Sequence, residues 1–469
     1  MSRVLWVTAL LLGCSTFAAA VANVSTPWDV WYYHLPFAAR IVGLVPEQAY
    51  RFHATNQARY DGFPLLAELL QGMLWKLTGR PESANLVAFG ALALFVGYLY
   101  RAHRVPPHLA VVSLFAVPLV QLHATSCYVD LPAGLATAAL LLETIGLYAS
   151  RKRREPWWFL LLAGIAVNMR FQVHVVVSVA MLAAAPPIMG PVLRDLGRVN
   201  ALRALAKVGL VTALLPFVLY TPLKNLIFHQ NPYFPMRLTL FGKLFPGVES
   251  TYSSSPLYLD RAPRAVRFVY SLLELNIRPI GDEHRWTPDQ WAPWDSPALR
   301  MGGFFGAYVV FHLTLLAWMA VQDAARPVRV YAVAFVLVTA MTAVLPQSHE
   351  LRYYLFWMIL LVSINLVLLM RSRARFAASV HGVGSLIALS VVLLSTRTAY
   401  VAPWGPTLRA LVRAKVDAAV PARLHEGERV CLARDPWTFL YASAFHGSVR
   451  YSVRETEHAE DCGDYRWIP

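Results

Sequence analysis

Two carboxylates sit where apolar stretches give out. Asp29 lies in Trp28-Asp29-Val30-Trp31-Tyr32-Tyr33-His34-Leu35-Pro36, directly after the first apolar run. Asp130 lies in Thr125-Ser126-Cys127-Tyr128-Val129-Asp130-Leu131-Pro132, just before another. Trp and Tyr favour the headgroup level of a bilayer, and anchoring there does not need a carboxylate. A carboxylate at that depth can take a proton from a hydroxyl or an amine as general base. A second can orient the same acceptor, or the two can share a divalent metal ion through oxygen ligands. The plainer readings make Asp29 a solvated member of an aromatic belt and Asp130 the N-cap of a helix with Pro132 in its first turn.

Cations occur on the same side. Arg170, His349 and Arg352 stand at the ends of apolar runs. An arginine offers a fixed fork of donors that suits a phosphate and would stabilise its departure. Snorkelling to lipid headgroups is the alternative for any one of them. Lys224 is a weaker candidate. His34, and Tyr60 with Asp61 before the Gly62-Phe63-Pro64 turn, are the remaining candidates for contacts to a substrate.

The elements that hold these residues are apolar helices. The chain has 469 residues, 57% hydrophobic and 15% charged. Soluble domains carry about 25% charged residues. Runs approaching the roughly 20 residues that span a bilayer recur along the chain. The prediction is an all-α polytopic membrane protein of about eleven transmembrane helices. The first run, 4 to 22, reads as a retained helix, with a cleaved signal peptide as the alternative. Net charge is +15. Much of it falls in short loops, such as Arg151-Lys152-Arg153-Arg154 and the set Arg371, Arg373 and Arg375. Such loops stay in the cytoplasm, which places Asp29, Asp130, Ser126 and Ser348 together on the outer side. Membrane lipids explain the charge, and nucleic acid is not an expected partner. Neither a Gly-rich phosphate loop nor a Cys/His zinc pattern stands out.

Two long outer loops are expected, about 23–83 and 229–300. In the first, Leu65, Leu66, Leu69, Leu70, Met73 and Leu74 recur at helical spacing, as in a helix lying in the membrane interface or packed on the bundle. The second is rich in Tyr, Trp, Pro and Ser, as in Trp291-Ala292-Pro293-Trp294-Asp295. Residues 1–400 form the membrane domain, and 401–469 a small α/β tail outside the cytoplasm. Val430–Ala433 and Val449–Val453 read as strands, with a helix from Trp437 to Phe445 between them. Cys431 and Cys462 could pair on an oxidising side. Cys14 and Cys127 read as buried thiols.

Four motifs in order carry a resemblance. The Asp29 to Pro36 stretch, Tyr60-Asp61-Gly62-Phe63-Pro64, the stretch ending in Asp130-Leu131-Pro132, and Asn231-Pro232-Tyr233-Phe234-Pro235 together resemble the GT-C superfamily of polytopic glycosyltransferases. The protein O-mannosyltransferases and the aminoarabinose transferases of lipid A are members. The likeness spans roughly the first half of the chain. It implies a bacterial inner-membrane enzyme with its site facing outward. It also implies a polyprenyl-phosphate sugar donor and a lipid, glycan or protein acceptor. The family's central carboxylate falls on Asp29 and its second acidic position on Asp130. A transporter or lipid flippase is the first alternative, disfavoured because no internal repeat is visible. A non-catalytic scaffold is the second, and it would tolerate loss of both carboxylates.

Overall fold

A computed structural model describes residues 2–150, 155–196, 201–240, 242–250, 255–289, 300–323, 325–371, 375–447 and 449–468. The Arg151–Arg154 basic run, residues 291–295 of the second loop, and Arg373 lie outside these residues.

The chain opens in α1 (Ser2–Ala22) and passes through a π-helical turn, Val30–His34, into α2 (Leu35–Ile41). The first long loop continues with β1 (Tyr50–Arg51), α3 (Ala54–Gly62) and α4 (Leu66–Thr78). The bundle follows as α5 (Leu86–His103), α6 (Pro107–Phe115), α7 (Pro118–His123), α8 (Asp130–Ser150), α9 (Pro156–Val167), α10 (His174–Leu196) and α11 (Ala201–His229). The second long loop holds β2 (Leu238–Leu240), β3 (Lys243–Phe245) and α12 (Arg264–Leu272). Helices α13 (Gly306–Gln322), α14 (Arg326–Val344), α15 (Leu355–Arg371) and α16 (Arg375–Ser395) complete the bundle. Proline in the first turn starts α2, α6, α7, α9 and α14, where its missing N–H costs nothing.

Among the described residues, eight helices are long and apolar enough to cross a membrane, and α9 and α13 are shorter apolar helices. The apolar run at 109–122 is divided between two short helices, α6 and α7. Pro118 holds Val117 in extended backbone, and the helix breaks there. Pro216 and Pro222 leave α11 a single helix. Helices α8 and α15 pack on each other at the centre, and residues 355 to 369 of α15 are buried throughout.

Helix α4 settles the reading of the first loop. Glu68, Gln71 and Trp75 face inward, while Leu69, Leu70, Met73 and Leu77 are exposed. A helix that buries its polar side and exposes its leucines suits lipid contact in the interface. The helix stops at Gly79, whose positive φ provides the left-handed cap.

The tail contains α17 (Leu408–Lys415), α18 (Ala419–Ala422), β4 (Arg429–Ala433), β5 (Ser452–Thr456) and β6 (Arg466–Ile468). Its parallel sheet runs β1-β5-β4-β6, so one strand comes from the first outer loop. The second tail strand starts three residues later than expected, and the stretch around Trp437 to Phe445 is two 3-10 turns rather than a helix. Phe439 and Phe445 pack on Trp31 and join the tail's core to that of the first loop. Cys431 and Cys462 form a disulfide. Cys127 is buried as expected, whereas Cys14 is exposed on α1.

Candidate active site

Neither carboxylate plays its plainer part. Asp29 precedes the π-helical turn and makes no side-chain cap bond to it. It is 8% exposed, and its Oδ2 accepts from Nη1 of Arg352 at 3.1 Å. Arg352 belongs to a 3-10 turn, Leu351–Tyr354, that leads into α15. Asp130 is the first residue of α8, and its Oδ1 lies 2.5 Å from Nη1 of Arg170. Arg170 sits in the tight turn between α9 and α10, and its Nε donates to Gln172 at 3.1 Å. That turn is where the sequence places the outer end of the two helices.

Tyr353 lies between the pairs. The Arg170 guanidinium is 4.4 Å from its ring centroid and that of Arg352 4.9 Å. Arg352 Nη2 also donates to the Tyr353 hydroxyl at 3.1 Å and leaves its buried Nε without a partner. Arg300 faces Asp29, Glu350, Arg352 and Tyr353 and makes no ion pair among the described residues. Glu350 is fully enclosed beside the same arginines.

Charge decides the protonation states here. Burial pushes the Asp29 carboxyl up, but the Arg352 and Arg300 guanidiniums hold it below the usual carboxylate range. For Glu350 burial wins over Arg352 and Arg300, and its carboxyl is raised. Three guanidiniums therefore meet two committed carboxylates and one that resists ionising. The surplus is positive and lies at the N-terminal ends of α8 and α15. It suits an anion, and the free Arg352 Nε is a donor ready for one.

Sequence reasoning brings Asp29, Asp130, Arg170 and Arg352 together, and the structure does the same. It missed Glu350, Tyr353, Arg300, Tyr128 and His123. Both ring nitrogens of His123 lack a partner, and its ring lies 5.1 Å from that of Tyr128. Glu350 lies between His349 and Arg352, and Tyr353 follows Arg352, so these neighbours were the available signal. The remaining candidates lie differently. His34 is buried against Glu68, with Nδ1 to Oε1 at 2.8 Å. Tyr60 packs on Phe37 and Phe52. Asp61 accepts from Gln57 at 2.9 Å, and its carbonyl accepts from Lys224 at 2.5 Å. The His349 side chain is buried, and its carbonyl accepts from Ser271 at 2.5 Å. None of these contacts of Tyr60, Asp61 or His349 reaches the carboxylate–arginine group.

A shared metal finds little support in this donor set. Each carboxylate is neutralised by its own arginine. No group of three or more His, Cys, Asp or Glu among the described residues is placed to hold a metal ion.

The apolar spans define a multi-pass membrane protein, with a cluster of paired charges at the base of its two long loops. Its fold is similar to that of a solved structure, ArnT from Cupriavidus metallidurans, determined bound to undecaprenyl phosphate. The TM-score is 0.55 at 12% identity, covering 98% of this chain and 87% of that one. At that identity the likeness is one of fold. No family profile and no curated protein sequence matches the chain.

Proposed function

We propose that the protein transfers a sugar from a polyprenyl-phosphate carrier to a lipid, glycan or protein acceptor on the outer face of a bacterial inner membrane. The observation that carries this reading is the convergence of Asp29–Arg352 and Asp130–Arg170 around Tyr353, with Arg300 left over. The undecaprenyl phosphate held by ArnT supports a ligand of the same chemistry here.

In this reading Arg352, Arg300 and Arg170 bind the donor phosphate and stabilise the charge that grows as the carbon–oxygen bond to the sugar breaks. Asp29 orients the acceptor hydroxyl or amine and takes its proton. Asp130 keeps Arg170 in place. Burial at the membrane surface strengthens each of these interactions by lowering the local dielectric. The test is turnover of a synthetic polyprenyl-phosphoryl sugar by the purified full-length protein. The arginine variants should release polyprenyl phosphate more slowly than wild type.

A further inference from the structure

Asp29 and His34 are five residues apart, and the turn between them is π-helical. The Leu35 amide donates to the Val30 carbonyl. Such turns stack residues five apart and recur at functional sites. His34 is 2% exposed, and so is Glu68, reached from α4. His34 Nδ1 lies 2.8 Å from Glu68 Oε1, so beside an ionised Glu68 it is Nδ1 that donates and Nε2 that is left to accept. The second oxygen of Glu68 has no hydrogen-bond partner, so an imidazolium is what its charge can balance. The groups facing His34 are Glu68 from α4, Asp29 and Tyr33 from its own turn, Tyr128 from the hinge before α8, and His123 from α7. Asp29, by contrast, is tied to Arg352. An ion-paired carboxylate orients an acceptor well and stores a proton poorly.

Resting on the transferase reading, we propose that the His34–Glu68 couple is a proton relay behind Asp29. The acceptor O–H or N–H bond breaks, and its electron pair forms the bond to the anomeric carbon. The bond from that carbon to the phosphate oxygen breaks, and its pair leaves with the lipid phosphate. The proton passes by way of Asp29 to His34 Nε2, giving an imidazolium beside the Glu68 carboxylate, and then to outer water. His34 is the relay, and Glu68 positions it.

The test uses full-length protein in nanodiscs, a synthetic polyprenyl-phosphoryl sugar and an envelope lipid extract as acceptor. His34→Gln should lower kcat by roughly 10²-fold while leaving the donor KM nearly unchanged. Glu68→Gln should cost about tenfold and move the acid limb of the pH–rate profile to lower pH, because the imidazolium loses its counter-charge. Added imidazole should restore rate to His34→Ala. Wild-type rates and an unmoved profile in both Gln variants, beside an inactive Asp29→Asn, would overturn the relay and leave the transferase reading standing. Loss of rate with no imidazole rescue and an unmoved acid limb would reduce the couple to a structural contact. A wild-type protein that turns over no donor would remove both.

Discussion

Asp29 is held between charges rather than bathed in water. Changing it therefore has two consequences, and they must be read separately. Asp29→Asn leaves Arg352 buried without its counter-ion, and breaking a buried pair costs about 3–5 kcal/mol. A melting curve is needed beside any rate. Arg352 offers a cleaner comparison. Arg352→Lys keeps a point charge and loses the fork, whereas Arg352→Ala loses both. Donor turnover should fall for both, and further for Ala. Equal, wild-type turnover in the two would make Arg352 a packing residue. At this scale much was legible in the sequence, because Asp and Arg at the ends of apolar runs are costly to place without a use. Glu350 and Arg300 were not legible, since only folding shows which charges share one enclosure.

Among the elements, α2 and α4 set the floor of the site, and Gly72 sets their spacing. A Cβ there would meet the Ala38 carbonyl oxygen at 2.4 Å. Gly72→Ala should cost about 1–3 kcal/mol by overpacking and should disturb the His34–Glu68 contact. Thermal unfolding of the purified variant checks it, and an unchanged melting temperature would show that the helices give way freely. The tail carries a pH-dependent joint. Burial pushes the Glu455 carboxyl up to about 7, against the His53 amide, Arg434 and Asn56. A raised carboxyl binds more protons folded than unfolded between the two values, so its contribution to stability falls as pH rises from about 4.5 to about 7. Glu455→Gln removes that dependence. The variant's stability relative to wild type should therefore increase from pH 5 to pH 8, as read by hydrogen exchange in β5. A difference that is flat with pH would contradict this. The joint itself was hidden from sequence reasoning, because β1 is two residues long and pairs with a strand four hundred residues away. The hydrophobic runs were plain, and Pro118 itself carries the signal of the break inside one of them.

At the scale of the whole molecule, the account needs both outer loops, the tail and the charge cluster on one side of the membrane. Ser126 and Ser348, expected there, are buried and so unsuited to labelling. His284 is exposed in the second loop, and Arg101 is exposed at the other end of the bundle. In a Cys14→Ser background, a membrane-impermeant thiol reagent applied to intact cells should label His284→Cys and not Arg101→Cys. The reverse would overturn the topology that the Lys/Arg asymmetry implies. The order of the motifs made the fold legible, and the packing of α8 on α15 explains why. A buried central pair is mostly apolar, with Glu143 of α8 and Asn365 of α15 among its few buried polar side chains, so its charged ends stand out. The sugar and the acceptor are not written in these elements. The most direct measurement is release of polyprenyl phosphate from a synthetic sugar donor by wild type and by Asp29→Asn of verified fold. Turnover by wild type and a loss of about 10²–10⁴-fold in the variant are expected. Wild-type turnover by a folded Asp29→Asn would contradict this.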